Sequence, residues 1–462
     1  MIADDIIYVL LLILSIAVGS FIRSIANVKR QQLISTLFGF VLVFFVSGKH
    51  IIHPVITILL NSVIVLYCNK QYCHVFSFVC CFLYLAFFRT AEYFGLTTPP
   101  AHTNAIQMIL TLKMVGIAFE LNHSHKINQN ATKGISLKHQ YEMINPSFID
   151  IIHYSFCHAG VLIGPYYKYK TYHDAFHTSY ISEVPCGKFL KQRLWPVPIY
   201  FCLFLLFHYL FPLEYATSDD INLRSVWYRI FYMTPIFINF RMRIYIGFIL
   251  GECVCIMFGI GAYPTISEPQ PGKGPTNYAA LKQFEDDFDK TSKQEFSFET
   301  VHNINEYGSE FSPTIRGGIR SWNRTVQYWL VMFVYKHIPC SKPIRMIVTM
   351  LVSSFWHGVH AGYYLCLLSA PFFLLAESQM EKAFRFGSYK FQTMLFDFLW
   401  WIFKMQAFAY MGMAFLLLRV DAIFGYWKSI YFVGHVLIII FYLLGYFVNI
   451  YVKRPKNLEK KN

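Results

Sequence analysis

The sequence predicts an all-α, polytopic membrane protein, and two observations support this fold class. Of the 462 residues, 55% are hydrophobic and 14% are charged, whereas roughly a quarter of the residues of a soluble domain are charged. Long apolar runs also recur along the whole chain. Because one crossing needs about 20 residues, we predict about nine to eleven spans within a single membrane domain covering residues 1–462.

The apolar runs follow one another in chain order and differ in length. Several are too short to cross a bilayer alone, and the run 344–376 could form one tilted helix or two broken pieces. The first run follows the acidic start MIADD, so we expect a retained span rather than a cleaved signal peptide. The candidate spans are 6–22, 33–48, 55–68, 74–88, 105–121, 151–165, 196–213, 225–240, 244–263, 325–339, 344–376, 396–418 and 430–452.

The net charge is +14, and the basic residues lie mostly in short loops and in the tail 453–462. This distribution is typical of membrane orientation and of contact with anionic lipid headgroups, so we predict no nucleic-acid partner. Arg23, Lys29 and Arg30 follow the first span, and the tail follows the last. The positive-inside rule then places the C-terminus in the cytosol and the amino terminus in the lumen, and the number of crossings is odd.

Two longer polar stretches, 122–147 and 264–322, interrupt the apolar pattern and are predicted to be loops. The second contains PGKGPT, residues 271–276, which could be mistaken for a nucleotide-binding loop. It lacks the spacing G-x-x-x-x-G-K-[ST], so we reject that assignment.

The stretch SSFWHGVHAGYY, residues 353–364, places His357 inside an apolar run. His357 could be a core histidine bonded to a neighbour, or a functional group, because ionisable side chains at membrane depth are costly and usually functional. The following Gly358 permits close approach of a ligand or another segment. Trp356 and Tyr363 could line a substrate cavity. A neutral imidazole there can accept a proton at neutral pH.

His360 lies three residues after His357 and would share its helix face if the segment is helical. An H-x-x-H pair could bind a metal, but the 17 histidines include no adjacent pair of the kind that membrane di-iron enzymes use. We therefore predict no metal site. His360 joins Trp356 and Tyr363 as a candidate substrate-binding residue, and a structural role for it stays open.

Asn323 stands where the polar stretch gives way to the apolar run 325–339. Asn323-Arg324-Thr325 matches the N-x-T glycosylation sequon, although the adjoining apolar run disfavours modification. The amide could instead orient a histidine or polarise a carbonyl group. The residues alone leave both roles open.

Arg241 and Arg243 lie between the apolar runs 225–240 and 244–263. They could snorkel to the membrane interface, or their forked guanidinium groups could bind a phosphate. Two residues apart on a regular helix, they would point about 160° apart. We therefore expect one to contact a substrate phosphate and the other to pair with an acidic or interfacial group.

The pair RSWNRTVQYWL, residues 320–330, and SSFWHGVHAGYYL, residues 353–365, resembles the signature of the membrane-bound O-acyltransferase family. Further stretches resemble the members that act on lysophosphatidylinositol, among them FFRTAEYFGLTTPPAHTNAIQMILTLK, GPYYKYKTY and RIFYMTPIFINFRMRIY. The resemblance covers most of the chain and is weakest in 122–147, in 264–290 and near the C-terminus.

The resemblance implies an endoplasmic-reticulum enzyme of phospholipid remodelling whose spans surround a central reaction chamber. It would move a polyunsaturated, arachidonoyl-type chain from acyl-CoA to the sn-2 hydroxyl of lysophosphatidylinositol. The family's catalytic histidine corresponds to His357 and its asparagine to Asn323. The implied partners are acyl-CoA, lysophosphatidylinositol and membrane lipids, and no bound cofactor is required because acyl-CoA is a co-substrate.

Two other classes of protein compete with this one. A transporter or channel could use the same histidine and asparagine as a substrate site, but it would predict inverted repeats, and none is evident in the sequence. A di-iron oxidase would need the histidine boxes that the sequence lacks.

Overall fold

The computed structural model describes residues 2–130, 136–286, 295–385 and 390–452. Helices dominate these residues, which confirms the all-α prediction. In chain order the elements are α1 (Ile2–Arg23), α2 (Val28–Ser47), α3 (Ile52–Tyr67), α4 (Cys73–Arg89), α5 (Ala101–Gln129), α6 (Leu137–Glu142), α7 (Phe148–Phe156), α8 (Tyr169–His177), α9 (Cys186–Leu194), α10 (Val197–Leu210), α11 (Val226–Phe258), β1 (Tyr263–Pro264), α12 (Tyr278–Asp286), β2 (Phe296–Ser297), α13 (Glu306–Phe311), α14 (Ile315–Ser321), α15 (Arg324–Phe333), α16 (Lys342–His357), α17 (Ala361–Met380), α18 (Lys390–Leu417), α19 (Val420–Ser429) and α20 (Val433–Phe447).

Six segments of the described chain are long and apolar enough to cross a membrane, and α4 is a shorter apolar helix. The helices α11 and α18 are 33 and 28 residues long and carry charged side chains within them. A polytopic membrane protein is therefore confirmed, while the count of nine to eleven spans stays a prediction. The six segments are Asp5–Arg23, Val28–Tyr67, Ala101–Gln129, Cys186–Thr217, Ala361–Arg385 and Val433–Tyr451.

The chain divides into two compact units, and it enters each of them more than once. Asn323 belongs to the first unit and His357 to the second. The first unit comprises Met1–Val197, Ile246–Ile304 and Asn323–His337, and the second comprises Pro198–Tyr245, Asn305–Trp322 and Ile338–Asn462.

In the first unit, the long helix α5 anchors the helix that starts beside Asn323. In the most apolar stretch of α5, 83% of the residues are buried, as expected of a helix that is surrounded by other helices. Trp329 of α15 is completely buried and donates a hydrogen bond from Nε1 to the carbonyl oxygen of Leu112 at 3.0 Å. This contact fixes α15 against α5.

In the second unit, two buried charged side chains hold the short helices α13 and α14. The ammonium group of Lys404 donates to the carbonyl oxygens of Ser309 and Glu310 at 2.9 and 2.8 Å. The carboxylate of Glu377 accepts the backbone N–H of Ile315 at 2.5 Å. Buried charges are tolerated when such partners satisfy them, so these residues serve the architecture of this unit.

The predicted loop 122–147 begins inside a helix, because α5 continues to Gln129. Asn122 is only 3% exposed, and its side-chain amide donates to the carbonyl oxygens of Lys70 and Gln71 at 2.8 and 2.9 Å. Polar residues can therefore extend this helix because partners within the protein satisfy them. The predicted loop 264–322 also contains short elements, namely the paired strands and α12 to α14.

Four predicted spans take a different form in the structure. The run 151–165 is not one span, since α7 ends at Phe156 and Gly160 and Gly164 have φ values of +84° and +89°. The two runs on either side of Arg241 form one continuous helix, α11. The run 344–376 is broken into α16 and α17, which confirms the two-piece alternative.

Candidate active site

His357 is the last residue of α16. The helix ends there because Gly358 has extended dihedral angles, φ 170° and ψ 178°, while its N–H still bonds to the carbonyl oxygen of Ser354 at 3.0 Å. The next helix starts at Ala361. His357 is therefore presented at a break between two helices, where its side chain is half-buried.

Three aromatic rings surround the imidazole of His357. The ring centroids of Trp356 and Phe415 lie 4.8 and 5.1 Å from it, and that of Tyr363 lies 6.0 Å away in a stacked orientation. Tyr363 and Phe415 also contact each other edge to face at 4.8 Å. The rings fix the orientation of the imidazole, and a neutral imidazole in this setting can act as a proton acceptor. Phe415, 58 positions further along the chain, was not identified from the sequence.

Gly358 is required by space rather than by its backbone angles, since any residue adopts an extended conformation. A Cβ atom at Gly358 would lie 2.2 Å from Cε2 of Tyr363. The absence of a side chain therefore lets Tyr363 approach the chain directly after His357.

Replacing Gly358 by alanine is expected to reduce turnover at least about tenfold, because Tyr363 must move and a small misplacement of catalytic groups is costly. Gly425→Ala is the matched control, since a Cβ at Gly425 meets no atom within 4 Å. Initial rates of both purified variants provide the measurement. Equal rates for the two variants would show that the position of Tyr363 does not matter.

His360 does not share a helix face with His357, because the segment between them is not helical. It is exposed and precedes α17, and its carbonyl oxygen accepts the N–H of Tyr363 at 3.2 Å. Its ring lies 6.3 Å from that of Tyr363. Among the described residues, no group of three His, Cys, Asp or Glu side chains could hold a metal ion.

Asn323 is the residue before α15 and has a left-handed backbone conformation, φ 48° and ψ 51°. Non-glycine residues rarely adopt this conformation, and asparagine is the side chain that tolerates it best. Its half-buried side chain makes no capping hydrogen bond to α15. The side chain therefore does not cap α15, and the catalytic role expected of Asn323 stays a prediction.

A buried hydrogen-bond network fixes the backbone on the C-terminal side of Asn323. The carbonyl oxygen of Asn303 accepts the N–H of Arg324 at 2.7 Å, and its Oδ1 accepts the hydroxyl of Thr325 at 2.7 Å. The N–H of Asn303 in turn donates to the carboxylate of Glu252 at 2.8 Å. The carboxylate of Glu252 also accepts a hydrogen bond from Nε of Arg193 at 2.5 Å.

This network explains why a carboxylate is buried in α11, where Glu252 is 1% exposed. Its charge is balanced by Arg193, and its oxygens are satisfied by backbone N–H groups. Glu252 lies within the candidate span 244–263, but no feature of the sequence points to Asn303, which lies 20 positions before Asn323.

Replacing Asn303 by alanine is expected to lower both the melting temperature and the turnover, because the buried hydroxyl of Thr325 loses its acceptor. An unsatisfied buried group costs about 1–3 kcal/mol. Asn303→Asp keeps an oxygen acceptor at the same place and serves as the matched variant. Thermal unfolding in detergent, together with initial rates, tests this; an unaltered melting temperature for Asn303→Ala would contradict it.

The two arginines of α11 differ in exposure. Arg241 is 4% exposed, and its guanidinium binds both carboxylate oxygens of Glu310, at 2.8 and 3.1 Å. The hydroxyl of Tyr245 donates to the same carboxylate at 2.6 Å. Arg243 is exposed. Arg241 is thus the arginine that pairs with an acidic group, and the contact of Arg243 with a substrate phosphate stays a prediction.

Within the second unit, the structure brings together His357, Trp356 and Tyr363, with His360 next to Tyr363. Arg241 contacts Phe237 and Glu310 instead, so it forms a separate structural pair. In the first unit, Asn323 stands at the end of the network around Asn303.

Together the fold and the site define a class: a polytopic, all-α membrane protein with a half-buried histidine held among aromatic rings at a helix break. Comparison with known proteins makes this class specific. Residues 73–420 match the membrane-bound O-acyltransferase family, and the chain belongs to that family. Membership confirms the prediction of an enzyme over that of a transporter.

Similarity to individual relatives extends over nearly the whole chain. A membrane-bound acylglycerophosphatidylinositol O-acyltransferase of Drosophila melanogaster is 39% identical over 451 residues, which cover 94% of this chain and 90% of the relative. The proteins of the same description from Homo sapiens and Xenopus laevis are 37% and 36% identical. These alignments cover 93% and 99% of this chain, and 91% and 97% of the two relatives.

Proposed function

We propose that this protein transfers a polyunsaturated, arachidonoyl-type acyl chain from acyl-CoA to the sn-2 hydroxyl of lysophosphatidylinositol. The reaction would serve phospholipid remodelling in the endoplasmic reticulum membrane, with the C-terminus in the cytosol; the tail 453–462 lies outside the described residues. The relatives' descriptions support the lipid acceptor. The observation that carries the chemistry is His357, held by aromatic rings at a helix break.

In the proposed mechanism, His357 is the general base. The hydroxyl of the lysolipid is a poor nucleophile until its proton is removed, and the neutral imidazole takes that proton as the oxygen attacks the thioester carbonyl. Such catalysis contributes roughly 10²–10⁴-fold. The carbon–sulfur bond then breaks, and the imidazolium returns the proton to the departing sulfur, so CoA leaves as a thiol and His357 is restored.

Asn323 is proposed to stabilise the negative charge that develops on the carbonyl oxygen. An amide N–H donates a hydrogen bond without changing its own charge, and its effect is largest where water is excluded. We further propose that the reaction occurs in a chamber closed to bulk water, which protects the thioester from hydrolysis. No resident metal or cofactor takes part.

Replacing the two arginines of α11 is expected to have different effects. Arg241→Gln leaves the Glu310 carboxylate without its ion-pair partner, so it should lower the melting temperature. Arg243→Gln should raise the KM for lysophosphatidylinositol about tenfold, the effect of one lost charge-assisted contact. If Arg243→Gln changes neither KM nor kcat, Arg243 is an interfacial anchor.

A panel of substrates tests the proposed function. Purified protein is given arachidonoyl-, oleoyl- or palmitoyl-CoA together with lysolipids that share one acyl chain and differ in headgroup. The highest rate of CoA release is expected with lysophosphatidylinositol and arachidonoyl-CoA. Equal rates with all headgroups would contradict the proposal that lysophosphatidylinositol is the preferred acceptor. Equal rates with all acyl donors would contradict the proposed preference for an arachidonoyl-type chain.

A further inference from the structure

Helix α18, which carries Phe415, ends in a backbone conformation that is unusual for the residue found there. The last residue of the helix is Leu417, and the next residue, Leu418, has a positive φ of 62°. This left-handed conformation is costly for a side chain such as leucine. Backbone strain of this kind persists only where surrounding contacts hold it, and it is frequent at functional sites.

The strained residue contacts the start of α17, the helix that follows His357. The carbonyl oxygen of Leu418 accepts the N–H of Gly362, the second residue of α17, at 3.0 Å. His360, the residue before α17, makes no capping hydrogen bond from its side chain. Because the first N–H groups of a helix have no partner within it, the carbonyl of Leu418 satisfies one of them. All these residues belong to the second unit.

The contact requires glycine at position 362 because two stretches of backbone approach closely. A Cβ atom at Gly362 would overlap the carbonyl oxygen of Ala414 and would lie 2.8 Å from Cα of Leu418. Both neighbours are backbone atoms, so the rotation of a side chain cannot make room. A larger residue at this position would therefore push the start of α17 away from the end of α18.

Two of the rings around the imidazole of His357 extend from the two sides of this contact. Tyr363 follows Gly362 on α17, and Phe415 lies three residues before Leu418 on α18. The two rings contact each other at 4.8 Å and lie 6.0 and 5.1 Å from the imidazole. A shift of α17 against α18 would therefore move both rings relative to His357.

We propose that Gly362 and Leu418 are positioning residues that hold the imidazole of His357 in the orientation required for proton removal. They act through the rings of Tyr363 and Phe415, not through contact with a substrate. The use of this orientation in the reaction rests on the proposed function. A small misplacement of a catalytic group is costly, so a strained backbone that fixes the base is retained.

Substitutions at Leu418 separate the backbone conformation from the side chain. Isoleucine keeps the size of the side chain, but its branched Cβ makes the left-handed conformation still more costly. Glycine removes the side chain and adopts that conformation freely. Leu416→Ile makes the same exchange at a helical position of α18 and is the matched control.

Two measurements on the purified full-length proteins in detergent test the inference. Initial rates give kcat and the KM for each substrate. The rate at which diethyl pyrocarbonate modifies His357, followed by mass spectrometry, reports access to the imidazole without turnover. Gly362→Ala is compared with Gly425→Ala, because a Cβ at Gly425 meets no atom within 4 Å. Leu418→Ile tests the same contact if Gly362→Ala does not fold.

Leu418→Ile and Gly362→Ala are expected to lower kcat at least about tenfold with the KM values nearly unchanged, because a misplaced base affects the transition state and not substrate binding. In both variants His357 should react faster with the reagent, since the displaced rings cover the imidazole less well. Leu418→Gly should retain most of the turnover, and the two control variants should resemble the unchanged protein.

Equal kcat values and equal reagent rates in Leu418→Ile and Leu418→Gly would overturn the inference, because the backbone conformation would then have no effect on His357. A raised KM with an unchanged kcat would also overturn it. If the unchanged protein transfers no acyl chains but the reagent rates differ as expected, the contact positions the imidazole and only the proposed function fails.

Discussion

Replacing His357 by alanine is expected to abolish acyl transfer while the protein remains folded. The imidazole is proposed to remove the proton of the attacking hydroxyl, and its loss should reduce turnover by at least roughly 10²–10⁴-fold. Folding should be preserved, because His357 is half-buried and ends a helix whose backbone stop, the bond from Gly358 to Ser354, does not involve its side chain. The measurement is CoA release by purified protein, with size-exclusion elution and thermal unfolding as tests of the fold.

His208→Ala is the matched control for the histidine variant. His208 is another half-buried histidine of the same unit, stacked on the ring of Phe204 at 5.6 Å, and the mechanism gives it no role. Its alanine variant should retain turnover near that of the unchanged protein. A folded His357→Ala protein with near-normal turnover would show that His357 is not the general base.

The second large effect is expected at Asn323, where two substitutions separate chemistry from backbone conformation. Alanine removes the amide and also adopts the left-handed conformation at a cost of roughly 1–2 kcal/mol. Glycine removes the amide but adopts that conformation freely. If the amide stabilises the developing charge, both variants should lose about 10²–10³-fold in kcat, and Asn323→Gly should be the more stable of the two.

Turnover and melting temperature of the two Asn323 variants are measured side by side. An active Asn323→Gly protein would show that Asn323 serves the backbone turn and not the reaction. A faster-migrating band on a denaturing gel for both variants, reproduced by enzymatic deglycosylation of the unchanged protein, would favour the sequon interpretation instead.

The fold class and the position of His357 were predictable because they depend on local sequence. Apolar runs identify spans wherever a helix faces lipid, and a histidine inside such a run is conspicuous. The same reasoning failed for the stretch after Leu121, because α5 continues to Gln129 and the protein satisfies the amide of Asn122 there. The prediction also divided α11 into two spans at Arg241, because an arginine between apolar runs is typical of the membrane interface. The structure instead pairs Arg241 with Glu310 inside one continuous helix.

The supporting residues of the candidate site could not be predicted because they depend on contacts between distant segments. Phe415 reaches the imidazole from another helix, and Asn303 reaches Thr325 after the chain has passed through α13 and α14. The burial of the Glu252 carboxylate is explained only by its contacts with Arg193 and with the N–H of Asn303. None of these pairs has a characteristic spacing in the sequence.

The most direct test of the account follows the acyl group itself. Purified protein is mixed with arachidonoyl-CoA labelled in the acyl chain, with and without lysophosphatidylinositol, and the label is traced in phosphatidylinositol, free fatty acid and protein. The account predicts that label enters the sn-2 position of phosphatidylinositol in equal amount to the CoA released, and that little CoA is released when the lysolipid is absent. CoA release without the lysolipid, or label that never reaches phosphatidylinositol in a folded protein, would contradict it.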